Sequence, residues 1–165
     1  MERHSGMRAA TALLKRTLIL VAMLWLSGVQ AMAVDGLISA KSNFGPAETL
    51  ERLEAAIKAK GFTVFARVDL AAGASSVGLP LRPTEVVIFG NPKGGTPLMQ
   101  AAQTAGIDLP LKALVWQDEA GVTFVSYNDP AWIAKRHGLG QGTEPAVKAM
   151  SGLLDALVKA ATTGS

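Results

Sequence analysis

Residues 85–106 read EVVIFGNPKGGTPLMQAAQTAG. Glu85 to Phe89 is apolar on both faces at Val86, Val87, Ile88 and Phe89, which predicts an inner β-strand. Gly90 to Gly95 then breaks the pattern. Thr96-Pro97 has the form of an N-cap followed by proline, and Leu98, Met99, Ala101, Ala102 and Ala105 continue a helix to Gly106. A glycine-rich connection between strand and helix is also where proteins often cradle phosphate. A Walker A loop needs G-x-x-x-x-G-K-[ST]. Here the spacing is one residue short and Lys93 precedes the last two glycines. Pro92 and Pro97 also remove two backbone donors. A tight turn accounts for the same residues, so the turn is the preferred reading. In the rival reading the amides of Gly94, Gly95 and Thr96, with Lys93, meet a carboxylate or phosphate.

On either side, the order of elements comes from local pattern. Leu37 to Ser42 is a short candidate strand, and Gly45-Pro46 opens a helix with proline at its first position. Leu50, Leu53 and Ile57 form the apolar stripe of that helix, and Gly61 ends it. Phe62, Val64, Ala66 and Val68 alternate with Thr63, Phe65, Arg67 and Asp69, the period of a half-buried strand. Leu70 to Pro83 reads as a long loop, unusual unless it has a task or hides a short element. Ala113 to Trp116 and Val122 to Tyr127 flank a turn and predict a hairpin. Asn128-Asp129-Pro130 opens a short helix that ends at His137-Gly138, and a last helix runs from about Pro145 to Ala161. The expected order is β-α-β-β-α-β-β-α, with a short extra helix before the last. This is a single α+β domain in which a mixed sheet is covered by helices. No internal repeat is visible.

The first 33 residues differ from the rest. They carry Arg3, Arg8, Lys15 and Arg16 against Glu2, which accounts for the whole formal charge of +3. The remainder of the chain has equal numbers of acidic and basic side chains, so a nucleic-acid partner has no electrostatic support. Lys15-Arg16, the apolar run from Thr17 to Leu26 and the small residues of Ala31-Met32-Ala33 have the form of a secretory signal. Met7 is an equivalent start. The apolar run is shorter than the roughly 20 residues that span a bilayer, so no stable membrane anchor is expected after cleavage. With cleavage after Ala33, or alternatively Ala31, the exported chain is one domain over residues 34–165, periplasmic or secreted. It contains no cysteine, which excludes disulfides, thiolate chemistry and a lipidated cysteine.

Residues 69–130, above all FGNPKGGTPLMQAAQTAGIDLPLKALVW and YNDP, resemble the bacterial family catalogued as domain of unknown function 302. The resemblance implies a compact α/β domain, dimers among relatives and no agreed activity. The family often has an aspartate–histidine pair where this chain has Asp69-Leu70, so a metal or proton-transfer role built on that histidine does not carry over.

The remaining chemistry-bearing residues are few. His137 is the single histidine beyond residue 33, and one histidine without cysteine makes no zinc site. A triad with Ser75, Ser76 or Ser126 lacks a nucleophile elbow. A haem held by His137 with Met99 or Met150 has no C-x-x-C-H to support it. Lys135-Arg136-His137-Gly138 reads instead as cations at a helix C-terminus followed by a glycine cap. Asp118-Glu119 fits a hairpin turn, Asp108 a loop, and Asp129 the cap of the helix begun by Pro130. Tyr127, Asn128 and Asp129, near Trp132, are the best alternative neighbourhood for a small ligand, while Trp132 and Ile133 read as core or dimer contacts. No cofactor is assigned by any pattern.

Two readings fit these residues. The first is a non-enzymatic exported module, dimeric, that binds a partner or small ligand. The second is a small enzyme or carrier of an anionic ligand, in which Lys93, Ser76, Tyr127, Asp129 and His137 converge on one concave surface with the Gly94–Thr96 turn.

Overall fold

A computed structural model describes residues 35–163. The expected signal over residues 1–33 and its cleavage point lie outside them. Strands β1 (Leu37–Lys41), β2 (Thr63–Asp69), β3 (Thr84–Gly90), β4 (Leu111–Gln117) and β5 (Thr123–Asn128) form one sheet in the order β1-β5-β4-β3-β2. The helices are α1 (Pro46–Ala59), α2 (Leu70–Ser76), α3 (Pro92–Ala101), α4 (Pro130–Arg136) and α5 (Glu144–Thr162), with a 3₁₀ helix over Gln103–Ile107. The class is the α+β one that the sequence predicts. Within it, all four strand pairings are antiparallel, so the sheet is not mixed. α1 connects β1 to β2, which lie at opposite edges, and the β4–β5 hairpin and β3 fill the space between them.

The core lies between α1, α5 and one face of the sheet. Leu50, Leu53 and Ile57 from α1 meet Leu154, Leu157, Val158 and Ala161 from α5 over Val87, Phe89, Ala113, Val115 and Val125. The helical stripes legible in the sequence are therefore the surfaces that fold inward. The opposite sheet face carries no helix from the core layer. Its centre is covered by its own side chains: Trp116 stacks on Phe124 at 5.0 Å, and its indole N–H donates to Ser126 Oγ at 2.8 Å. Ser39 Oγ and Ser126 Oγ are 2.6 Å apart, which satisfies the cross-strand hydroxyls.

Two elements differ from expectation. The segment Leu70–Pro83 is not all loop, because Asp69 caps α2 by accepting the Ala72 N–H at 2.8 Å. A short polar residue at the end of a strand was enough to start a helical turn. α3 begins at Pro92 rather than after Thr96, and it stops at Ala101 rather than running to Gly106. The sequence holds two cap-then-proline pairs, Asn91-Pro92 and Thr96-Pro97. The chain leaves β3 at Gly90, and the first pair starts the helix at once. Pro97 is thereby enclosed within α3, and the chain breaks at Ala102 before the 3₁₀ turn.

Candidate ligand-binding cleft

Gly90 to Thr96 of the FGNPKGGT segment form one wall of a cleft of about 600 Å³. Its other walls come from β2, the approach to β4, and the first half of α5. The β2–β3 register shifts between Val64 and Ala66, leaving Phe65 as an extra residue without a partner on β3. Such a bulge re-aims a side chain. Phe65 lies across Gly90, where an added Cβ would stand 3.2 Å from the ring and 3.4 Å from Pro110. Gly90 thus permits the close approach of ring to strand. Phe62, Met99, Leu109, Leu111, Met150 and Leu153 supply most of the remaining apolar lining. Among the described residues that line the cleft, Asn91, Lys93 and Thr96 are the only ones with a polar side chain, and none is acidic.

The amides at the start of α3 are already engaged. Asn91 Oδ1 accepts the Lys93 N–H at 3.0 Å, and the Asn91 carbonyl accepts those of Gly94 and Gly95 at 3.0 and 3.2 Å. Pro92 has none to give. Asn91, not Thr96, is therefore the cap, and the two glycines are first-turn helical residues rather than a separate turn. The Asn91 amide group is held as well, since its Nδ2 donates to the Gly61 carbonyl at 3.4 Å. What this segment offers a ligand is the ammonium of Lys93 on an apolar wall. The Lys93 side chain is exposed and has no acidic partner among the described residues.

Lys93, Gly94, Gly95 and Thr96 line the cleft together, while the other expected site residues stand elsewhere. Ser76 is at the end of α2, its hydroxyl donating to the Gly73 carbonyl. Tyr127 is in the core and donates to Asp155 Oδ1 at 2.7 Å; burial first, and this carboxylate second, push its pKa upward. Asp129 caps α4, accepting the Ala131 N–H at 2.9 Å. Ser126 is hydrogen-bonded within the Trp116 network, whereas the ring nitrogens of His137 face Thr104 and Asp108. Met99 and Met150 both line the cleft, but His137 does not.

His137 does more than offset helix carbonyls. Its side chain is only 6% exposed; Nε2 lies 2.6 Å from Asp108 Oδ2, and Nδ1 lies 3.0 Å from Thr104 Oγ1. Arg136 donates to the other Asp108 oxygen at 3.1 Å and sits over the Trp132 ring. Asp108, read as a loop acid, is 8% exposed and anchors the end of α4 to the 3₁₀ turn. Nothing in the local pattern paired residues 108 and 137, because their contact is purely tertiary. Phe65 carried a weak signal for the cleft: it is an aromatic on the polar side of the β2 alternation. Met150 and Leu153, on α5, carried none that set them apart from core residues.

This α+β domain, with an apolar cleft beside its glycine-rich helix entry, matches the sequence profile described as Domain of unknown function DUF302 over residues 38–157. The chain belongs to that family. It also resembles the crystal structure of an uncharacterized conserved DUF302 protein from Bacillus stearothermophilus, with a TM-score of 0.70 and 21% identity. That similarity covers 78% of this chain and 99% of the other and concerns the fold alone. Two curated relatives are named Fluoride-specific ion channel FluC 1, from Brucella suis biovar 1 (strain 1330) and Brucella abortus biovar 1 (strain 9-941). Each is 51% identical over 116 residues, 70% of this chain, and the match covers 46% and 43% of their respective lengths. The chain thus spans less than half the length of these relatives.

Proposed function

We propose that this domain is an exported, non-enzymatic binding module whose cleft houses a small, largely apolar ligand. The carrying observation is the lining: the described residues around a volume of about 600 Å³ are Phe, Met, Leu, Pro, Ala and Gly, with three that have polar side chains. One of those three, Asn91, is occupied as a helix cap. The volume falls within the range typical of small-molecule sites, which are mostly apolar with a few placed polar groups. General acid–base chemistry needs a titratable pair within reach of a substrate. The His137–Asp108 pair is committed to joining two elements, and it is not part of the lining.

The test uses the exported protein and the uncharged apolar fluorophore N-phenyl-1-naphthylamine, with Ala149→Trp as the blocking variant. Ala149 lines the cleft from the exposed side of α5, so the indole can fill the space without entering the core. Saturable binding by the natural chain that is lost in a folded Ala149→Trp protein is the expected result. Equal binding by both proteins would sink the reading.

The relatives favour a second, compatible reading. Ion channels need a membrane-crossing pathway, and among the described residues of this chain no helix is long and apolar enough to cross one. The stretch those channels share with this chain therefore fits an appended module, and a channel-type membrane protein is the proposed partner class. Crosslinking in native membranes followed by mass spectrometry tests this, and capture of no integral membrane protein would count against it. A homodimer belongs to the same proposal, with sedimentation velocity of the purified protein as its check.

A further inference from the structure

We infer that the ligand of the cleft is an amphiphilic monoanion, an apolar body ending in a carboxylate that Lys93 receives. This inference rests on the proposal of an apolar binding cleft and adds the chemistry of the ligand's head. Among the described residues lining the cleft, Lys93 is the single charged one, so they give the space one positive charge and no negative one. Lys93 is exposed and without an acidic partner among the described residues, and its ammonium is available to a head group left at the water boundary. A lysine can lay its aliphatic stem on an apolar wall while keeping its head in water, which matches a ligand with one apolar and one charged end.

The anion's charge is limited by the same geometry. A phosphate dianion at such a place is normally met by several backbone N–H groups or a second cation. Here the amides of Lys93, Gly94 and Gly95 are spent on Asn91, and among the described residues no second cation lines the cleft. One lysine balances one negative charge. The body of the ligand meets Met99 and Met150, flexible side chains that adapt their shape, alongside Phe62 and Phe65. A flexible alkyl chain suits those walls better than a rigid, polar ring system.

The experiment compares dodecanoate below its micelle-forming concentration with dodecanol below its solubility limit, by isothermal titration on the exported protein and its Lys93→Gln and Ala149→Trp variants. An exposed ion pair is worth up to about 1 kcal/mol, so dodecanoate should bind the natural protein about three- to fivefold more tightly than dodecanol. That advantage should vanish in Lys93→Gln and shrink in roughly 0.5 M NaCl, where the pair is screened. Ala149→Trp should weaken both ligands alike. Equal affinity for the two ligands in the natural protein, or an advantage that survives Lys93→Gln, would overturn the head-group assignment while leaving the apolar cleft in place. Failure of both ligands to bind, or binding undisturbed by Ala149→Trp, would remove the cleft reading itself and this inference with it.

Discussion

Gly36 has φ of +76°, and a Cβ built there would stand 2.3 Å from Trp132 Cγ. The residue just before β1 therefore accepts both a left-handed backbone and an indole laid flat against it. Its carbonyl also accepts the Asp129 N–H at 2.8 Å, so the β1 entry, the β5 exit and α4 share one junction. Left-handed strain costs roughly 1–2 kcal/mol for a residue with a Cβ, and overpacking adds a similar amount. Gly36→Ala is thus expected to lower unfolding stability by at least ~2 kcal/mol in urea titration. A loss below half of that would show that the indole moves aside freely. Trp132, expected as a core or dimer contact, has this intramolecular role: it fills the space above a glycine and carries Arg136 on its ring.

The two helix entries competing for α3 can be separated by single substitutions at the level of the element. Asn91 makes the capping bond, so Asn91→Ala should cost about 1 kcal/mol. Thr96 is already inside the helix, and Thr96→Ala should change stability by only a few tenths of a kcal/mol. Reversal of that order, read from urea midpoints, would restore Thr96 as the cap. The join between the 3₁₀ turn and α4 has a different basis. Asp108 accepts from Arg136 and faces His137 with almost no exposure, so its removal strands a buried imidazole. Asp108→Ala is expected to cost on the order of 2–3 kcal/mol, since breaking a buried polar pair leaves one member unsatisfied. Asp108→Asn keeps an acceptor and should lose less. Equal losses in the two variants, measured by denaturant unfolding, would argue that packing alone holds this join. At the other edge of the sheet, Arg67 bridges Glu54 of α1 and Glu85 of β3. These exposed ions align the edge strand with the helix and add little to stability.

Over the whole molecule, stability falls to one apolar layer between two helices and one sheet face, with no disulfide to assist. The titratable group set most firmly in that layer is Tyr127, 4% exposed and bonded to Asp155. Its pKa is raised from 10.0, chiefly by burial and next by the Asp155 carboxylate. The unfolded chain therefore loses this proton first as pH climbs. The sign is fixed: the contribution of this group to stability is fully present below pH 10 and is lost progressively above it. Tyr127→Phe should flatten that alkaline decline while costing about 1 kcal/mol at neutral pH from the lost hydrogen bond. Unfolding curves at neutral pH and above pH 10 measure both effects, and an unchanged alkaline slope in the variant would dissociate the decline from Tyr127.

Sequence alone determined what depends on near neighbours. The Leu50–Leu53–Ile57 stripe, the alternation in β2, the glycine stop at Gly61 and the proline-led starts of α1 and α4 are all properties of a few consecutive residues. Hence the order of elements and the α+β class were legible. The helix entry was read at Thr96-Pro97, but the chain leaves β3 at Gly90 and Asn91-Pro92 starts the helix first. The direction of strand pairing, the meeting of Asp108 with His137, and the gathering of Phe65, Lys93 and Met150 around one cleft were decided by tertiary packing. Those residues lie 28 or more positions apart in the chain, and contacts at such separation arise only when the shared apolar layer closes.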